Sequence, residues 1–189
     1  MSKKLPGLHR KDGEERQPDD FYATSPRAIP PLLKVLGWEQ GGKYIYEPAA
    51  GKGHLAEMLK LYGHKVLATD LIDRGYCQSG VDFLQSNLYD FEPYDALITN
   101  PPYKYALEFV KKSLTVAPVA CHFLNIKFLE SARRRDFFKT NPPRYVCVFS
   151  ERMDCSKDAK FPKNESSAVC YAWFIWFRGF TGRPEIIWL

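Results

Sequence analysis

The sequence has 189 residues, of which 45% are hydrophobic and 26% charged, enough for one domain with a full core and unlike a disordered or fibrous chain. It contains no apolar run of membrane-spanning length, and Met1-Ser2-Lys3-Lys4-Leu5-Pro6 lacks the apolar stretch of a signal peptide, so a soluble, cytoplasmic protein that enters no membrane is expected. The net charge of +5 sits in residues 127–163, where ten Lys/Arg face five Asp/Glu and Arg133-Arg134-Arg135 is the densest point. Such a patch suits a polyanion, although charge runs are more often solvated helix faces.

Residues 1–20 are polar, charged and aperiodic, and read as a flexible N-terminal arm. Residues 21–189 read as one domain without repeats. Phe21-Tyr22-Ala23-Thr24-Ser25-Pro26 precedes a helical stripe of Ala28, Ile29, Leu32, Leu33 and Leu36 that Gly37 ends. Ser25 fits an N-cap with Pro26 at the first helical position, and Pro30-Pro31 threatens to interrupt the helix. Lys43–Glu47 reads as the first strand. Pro48-Ala49-Ala50-Gly51-Lys52-Gly53 is a turn, His54–Tyr62 a helix with Leu55, Met58, Leu59 and Tyr62 on one face, and Lys65–Thr69 a second strand ending in Asp70.

Strand, glycine turn, helix, strand and acid make a nucleotide-binding half of a doubly wound sheet. Gly51-x-Gly53-x-x-Ala56 also fits the dinucleotide fingerprint, with Asp70 nineteen residues after Gly51. The adenosine of NAD and that of S-adenosylmethionine are both served by these features. Glu47 tilts the choice, because a carboxylate at the end of the first strand suits a cationic ligand end and repels a pyrophosphate. Gly80–Leu84 reads as the end of a third strand, with Asp82 placed to accept from an adenine amine and Phe83 to lie against its ring. An Asp cap beside a core Phe reads the same two residues equally well.

Ala96–Thr99 is a short β-branched run that stops at Asn100-Pro101-Pro102-Tyr103. Two prolines fix φ and remove two donors, so strand and helix both end here. Asn100, before a proline, is held extended at the strand's carboxyl end, where open α/β sheets bind ligands. The corner has a chemical use. A base's exocyclic amine is a poor nucleophile because its lone pair is delocalised into the ring. The Asn100 side-chain oxygen and the Pro101 carbonyl are two acceptors for its two hydrogens, and Tyr103 offers a flat face to a base that has left its stack. Asn141-Pro142-Pro143 repeats three of these residues but is followed by Arg144, and reads as a connecting loop.

Further along, 105–114 reads as a helix, Val119–Leu124 as a strand, Ser131–Thr140 as the basic helix, and Tyr145–Ser150 as a strand. Arg152–Ser167 is polar and aperiodic, a long loop suited to contacting a macromolecular substrate. Ala168–Trp176 reads as a core strand and Glu185–Leu189 as a short last one. The five cysteines, at 77, 121, 147, 155 and 170, form no Cys-x-x-Cys pair, so reduced thiols and no metal site are expected.

With these residues assembled, the chain resembles the class I S-adenosylmethionine-dependent methyltransferases, over roughly residues 21–177. Within them it is similar to the amino-methylating DNA enzymes with Asp/Asn-Pro-Pro-Tyr/Phe, and to small N6-adenine methyltransferases encoded by bacteriophages. The resemblance implies one Rossmann-like, doubly wound α/β sheet, mostly parallel with an antiparallel C-terminal strand. It implies that Asn100, Pro101, Pro102 and Tyr103 form the catalytic motif, and that Glu47, Pro48, Ala49, Gly51 and Gly53 form the loop for S-adenosyl-L-methionine. Asp70 matches the ribose-binding acid and Asp82-Phe83 the adenine-contacting pair. Phe21-Tyr22-Ala23-Thr24 is similar to a segment that touches the methionine end of the cofactor, although a hydrophobic staple and cap also accounts for Tyr22 and Thr24. The implied partner is nucleic acid, DNA first, met through residues 127–163. The DNA enzymes commonly add a target-recognition domain, and none is read here. The same tetrapeptide occurs in enzymes that methylate RNA base amines or a release-factor glutamine amide. A binding module on the same scaffold and a NAD-dependent oxidoreductase are the rival readings.

Overall fold

The structure, a computed structural model, describes residues 23–87, 92–151, 153, 155–156 and 169–189. The chain opens with a two-residue strand, β1 (Ala23–Thr24), and a 3-10 turn at Pro26–Ala28. Helix α1 spans Ile29–Leu36 without a break. Pro30 and Pro31 fall in its first turn, where amide hydrogens have no intrahelical acceptor, so their missing donors cost nothing. Ser25 does not cap through its side chain; Pro26 opens a separate 3-10 turn, and the expected cap is lost to it. Gly37 closes α1 in the left-handed region at φ 67°.

Next come β2 (Tyr44–Glu47), α2 (His54–Leu61), β3 (Lys65–Ala68) and β4 (Ala96–Thr99). They are followed by α3 (Ala106–Val116), β5 (Val119–Asn125), α4 (Ala132–Thr140) and β6 (Tyr145–Val148). The chain ends with β7 (Cys155–Ser156), β8 (Tyr171–Phe177) and β9 (Glu185–Trp188). Seven strands form one sheet in the order β3-β2-β4-β5-β8-β6-β9, and β1 pairs with β7 in a separate ribbon. Every neighbouring pair in the large sheet is parallel except those that β8 makes with β5 and β6. The antiparallel C-terminal strand is therefore β8, seated between two earlier strands.

Both faces of the sheet are covered, which is why its strands are apolar on consecutive residues rather than alternate ones. On one face Leu32 and Leu33 of α1 and Leu55 and Leu59 of α2 pack with Ile45, Ile98, Phe123 and Trp173. On the other, Phe109 of α3 packs with Tyr46 and Leu97, and Phe128, with Phe137 and Phe138 of α4, packs on Phe174 and Trp176. Asn141-Pro142-Pro143 is the connection between α4 and β6, as its sequence suggests.

The third strand expected at Gly80–Leu84 does not form. After β3 only an isolated parallel bridge forms, Thr69 opposite Gln78 with Asp70 N–H donating to Gln78 O, and the backbone otherwise satisfies itself locally: Gly80 N–H donates to Leu71 O and Val81 N–H to Asp70 O. The Asp82 carboxylate then accepts from Leu84 N–H at 2.9 Å. Groups committed to turns cannot enter a ladder, so β3 is the edge of the sheet. Of the long loop expected at Arg152–Ser167, only residue 153 and the β7 residues are described; the rest lies outside the described residues.

Trp173 is fully buried at the middle of β8 and donates its indole N–H to the Ala28 carbonyl at 2.8 Å. Trp173→Phe leaves that carbonyl without its partner and removes ring volume. The expected loss is about 1–3 kcal/mol, read as a lower urea midpoint at unchanged m-value.

Candidate active site

The chain runs from β2 outward to β3, then returns to β4 on the other flank of β2. A crevice opens at such a reversal, beyond the carboxyl ends of the strands. Parallel pairing of Ile45 with Ala96 and of Tyr46 with Leu97 brings Glu47 and Asn100 out on the same side. Pairing of Glu47 with Ala68 brings Asp70 out beside them. The cavity there has a volume of about 640 Å³.

Eleven residues singled out from the sequence line it: Thr24, Glu47, Pro48, Ala49, Asp70, Asp82, Phe83, Asn100, Pro101, Pro102 and Tyr103. Gly51 and Gly53 do not. Gly51 has φ 58° and its N–H donates to Asp70 Oδ2 at 2.7 Å. Gly53 has φ 81°, and a Cβ on it would stand 2.3 Å from the Tyr76 ring. Its absent side chain thus admits a tyrosine packed beneath the turn. Tyr22 lies outside the described residues.

Asp70 also accepts from Ile72 N–H through Oδ1 at 2.8 Å, so one carboxylate clamps the glycine turn to the loop after β3. Each of its oxygens keeps a second lone pair for a ligand hydroxyl. Asp82 and Phe83 meet the cap and core-ring reading, and both also line the cavity. Asp82 caps its own turn, and Phe83 is a core ring 4.9 Å from Phe109. The turn at Tyr103–Tyr105 is closed by Tyr105 N–H to Pro102 O at 2.9 Å, which leaves the Pro101 carbonyl outside that bond. Tyr103 donates to the Tyr171 hydroxyl at 2.9 Å, and its ring lies 6.3 Å from that of Tyr171 at 27°. Asn100 donates through Nδ2 to Thr24 Oγ1 at 2.8 Å, so the amide's oxygen is the end it offers elsewhere.

Glu47 is 1% exposed, and its Oε2 has no hydrogen-bond partner among the described residues. Burial raises its carboxyl well above the usual carboxylate range. The Ala56 amide opposes that rise, the nearby Asp70 charge adds to it, and Lys60 lowers it. A buried carboxyl with one oxygen unpartnered among the described residues is costly on a cavity wall.

His54, Leu71, Ile72, Arg74, Lys104 and Tyr105 also line the cavity and escaped the sequence reading. Two of them had a signal: Lys104-Tyr105 follows the motif directly, in the 3-10 turn at Tyr103–Tyr105. Tyr105 is 43% exposed, with the Lys104 ammonium 5.0 Å from its ring centroid. The loop residues gave none, because their position depends on the turn that replaced the third strand.

No protein-family model and no curated protein sequence matches the chain. Solved structures do. A type I restriction-modification methyltransferase subunit from Streptococcus thermophilus superposes over 90% of this chain and 48% of its own, at 12% identity and a TM-score of 0.66. The EcoKI M protein, of a type I restriction enzyme, matches over 86% of this chain and 45% of its own, at 13% identity and 0.54. A Pyrococcus horikoshii protein assigned as an RNA methyltransferase matches over 78% and 79%, at 16% identity and 0.55. The chain has the methyltransferase fold. It spans about half the length of the two restriction-system subunits.

On this methyltransferase fold, the basic region is less open to a polyanion than its charge count implies. Arg134 turns inward and donates to the carbonyls of Phe128, Lys127 and Glu130. Arg144 pairs with Glu185 at 2.7 Å. Arg135 and Lys139 flank Asp136 in exposed pairs, which are worth little and exchange readily. No helix among the described residues is long and apolar enough to cross a membrane.

The Glu47 carboxyl titrates above its unfolded value, so its contribution to stability is full below the ordinary carboxylate pKa and is lost as pH rises through the folded one. Glu47→Gln carries no charge at any pH. Its urea midpoint is expected to fall less than that of the unmodified protein between about pH 5 and about pH 8.

Proposed function

We propose that the protein transfers a methyl group from S-adenosyl-L-methionine to an exocyclic amine, N6 of adenine in DNA. The observation that carries this reading is the Asn100 amide at the carboxyl end of β4, in one cavity with Glu47 and Asp70. The residues fit the cofactor. The unpartnered buried oxygen of Glu47 suits the ammonium of its amino-acid end. Asp70 is placed for the ribose hydroxyls, and Asp82 and Phe83 for the adenine. When bound, the cofactor supplies an electrophilic methyl on a positively charged sulfur.

The chain's own part is positioning. Asn100 Oδ1 and the Pro101 carbonyl accept the two hydrogens of the target amine, drawing its lone pair out of the ring. Tyr103, held by Tyr171, presents its face to the base, and Tyr105 at the mouth offers a second ring. On transfer the methyl–sulfur bond would break with its electron pair left on the sulfur, and the nitrogen, having gained the methyl, would give up one proton to solvent. Fixing the amine in line with the methyl supplies most of the rate, because a bimolecular step becomes an intramolecular one.

DNA is favoured by the tetrapeptide's resemblance and by the restriction-system subunits among the neighbours. Lys104, Lys127 and the exposed cations of α4 are the residues assigned to the phosphates. A second reading, a base amine in RNA, is favoured by the Pyrococcus horikoshii neighbour, most of whose length this chain covers.

The test is incubation with methyl-labelled cofactor and DNA, RNA or protein extract, followed by digestion and identification of the labelled product. Label in N6-methyladenine from DNA is expected. Asn100→Ala should lower transfer by about 100-fold or more, the scale of losing one oriented polar group at a reacting centre. Its cofactor Kd, by calorimetry, should move by less than about threefold, which is under about 0.7 kcal/mol. Full activity in that variant removes the role given to Asn100, and label on RNA alone replaces the substrate.

A further inference from the structure

Thr24 and Asn100 are 76 residues apart in the chain, yet Asn100 Nδ2 donates to Thr24 Oγ1 at 2.8 Å. Thr24 is 4% exposed. Its backbone belongs to β1, whose ladder partner is β7, with Thr24 opposite Cys155. The ribbon lies outside the large sheet, so Asn100 is tied to an element other than the one that carries it.

The tie matters because of what an asparagine amide is. Its oxygen and nitrogen are nearly the same size, and a half-turn about the last side-chain torsion exchanges an acceptor for a donor. A target amine needs the acceptor. A hydrogen bond to the Thr24 hydroxyl, a group that can donate or accept, fixes the amide plane and its position, and here Nδ2 is the end that meets it, which leaves Oδ1 at the other end. The resemblance implies a contact of Thr24 with the methionine end of the cofactor, and the residues alone read equally as a staple and cap; the structure joins its hydroxyl to Asn100.

We propose that Thr24 is a positioning residue for the amine-binding amide: its buried hydroxyl, held on the β1–β7 ribbon, pins Asn100 so that Oδ1 meets the target nitrogen. The proposal rests on the methyl-transfer reading. It differs from it in placing control of the reacting geometry on a residue that touches neither the methyl nor the target base. It also makes the ribbon, rather than the sheet, the support of that geometry.

The test uses the full chain with Thr24→Val, which keeps the shape and removes the hydroxyl, Thr24→Ser, which keeps the hydroxyl, and Thr24→Ala as a second variant without it. Each is measured for kcat, for cofactor Kd by calorimetry, and for the Asn100 side-chain amide signals by NMR, assigned with Asn100→Asp. Thr24→Val and Thr24→Ala are expected to lower kcat by about 10- to 100-fold, the scale of a misplaced reacting group. Their cofactor Kd should stay within about twofold, and the Asn100 amide signals should shift. Thr24→Ser should restore kcat to within about threefold of the unmodified protein, together with the original amide signals.

Unchanged kcat with a weakened cofactor Kd makes Thr24 a cofactor contact and overturns the proposal. Loss of kcat in Thr24→Ser as well overturns the role of the hydroxyl. Amide signals that do not move in Thr24→Val or Thr24→Ala refute the contact whether or not the protein transfers methyl groups. A wild-type chain that transfers to no substrate refutes the methyl-transfer reading itself, and any catalytic use of the contact with it.

Discussion

Parallel pairing on both flanks of β2 is the constraint on which everything at the carboxyl edge depends. Because β3, β2 and β4 run the same way in a fixed register, Asp70, Glu47 and Asn100 leave the sheet side by side, on strands about 4.8 Å apart. None of the three is near another in sequence. A slip of one residue in either ladder would turn a polar terminus into the core and a core residue into the crevice. The apolar residues on both faces prevent that slip, so the burial of Ile45 and Tyr46 on opposite sides serves the site as directly as the polar residues do.

The site holds its polar groups at some cost to the fold. Glu47 is enclosed with an oxygen that has no partner among the described residues, a cost the fold must offset elsewhere. Asp70 is the counter-example. It is nearly as enclosed, but it accepts from two backbone amides and so holds the glycine turn together while facing the cavity. One acid is held by two amides and still faces the cavity; the other has the Ala56 amide near it but keeps one oxygen without a partner among the described residues. His122 belongs to neither class: fully buried beside Trp176, with burial pulling its imidazole down to about 3, it behaves as a neutral core ring.

Much of this was legible in the residues. Strand ends, the glycine turn and the proline corner are marked by breakers whose effect is local and steric, so Ala96–Thr99 and α2 fell where the pattern put them. The same local logic failed at Gly80–Leu84, where apolar residues followed a glycine and a strand was expected. Asp82 instead took up the Leu84 amide, a competition between side chain and ladder that composition does not reveal. The triple arginine misled in another way. Charge counts add formal charges, but Arg134 is consumed by three carbonyls at the end of the turn that carries Phe128. The Thr24 contact could not be read at all, because a strand of two residues has no periodicity.

The position of β8 bears on how the molecule is made. It follows both β5 and β6 in sequence, yet it fills the gap between them. A ribosome therefore releases the whole crevice-forming part before the piece that joins the two halves of the sheet. Until residues 171–177 emerge, β5 offers a bare apolar edge, and β6 has no neighbour on that side. Edges of that kind recruit other chains. Between the synthesis of β6 and that of β8, the sheet has a slot at its centre that an aromatic strand from later in the chain must fill.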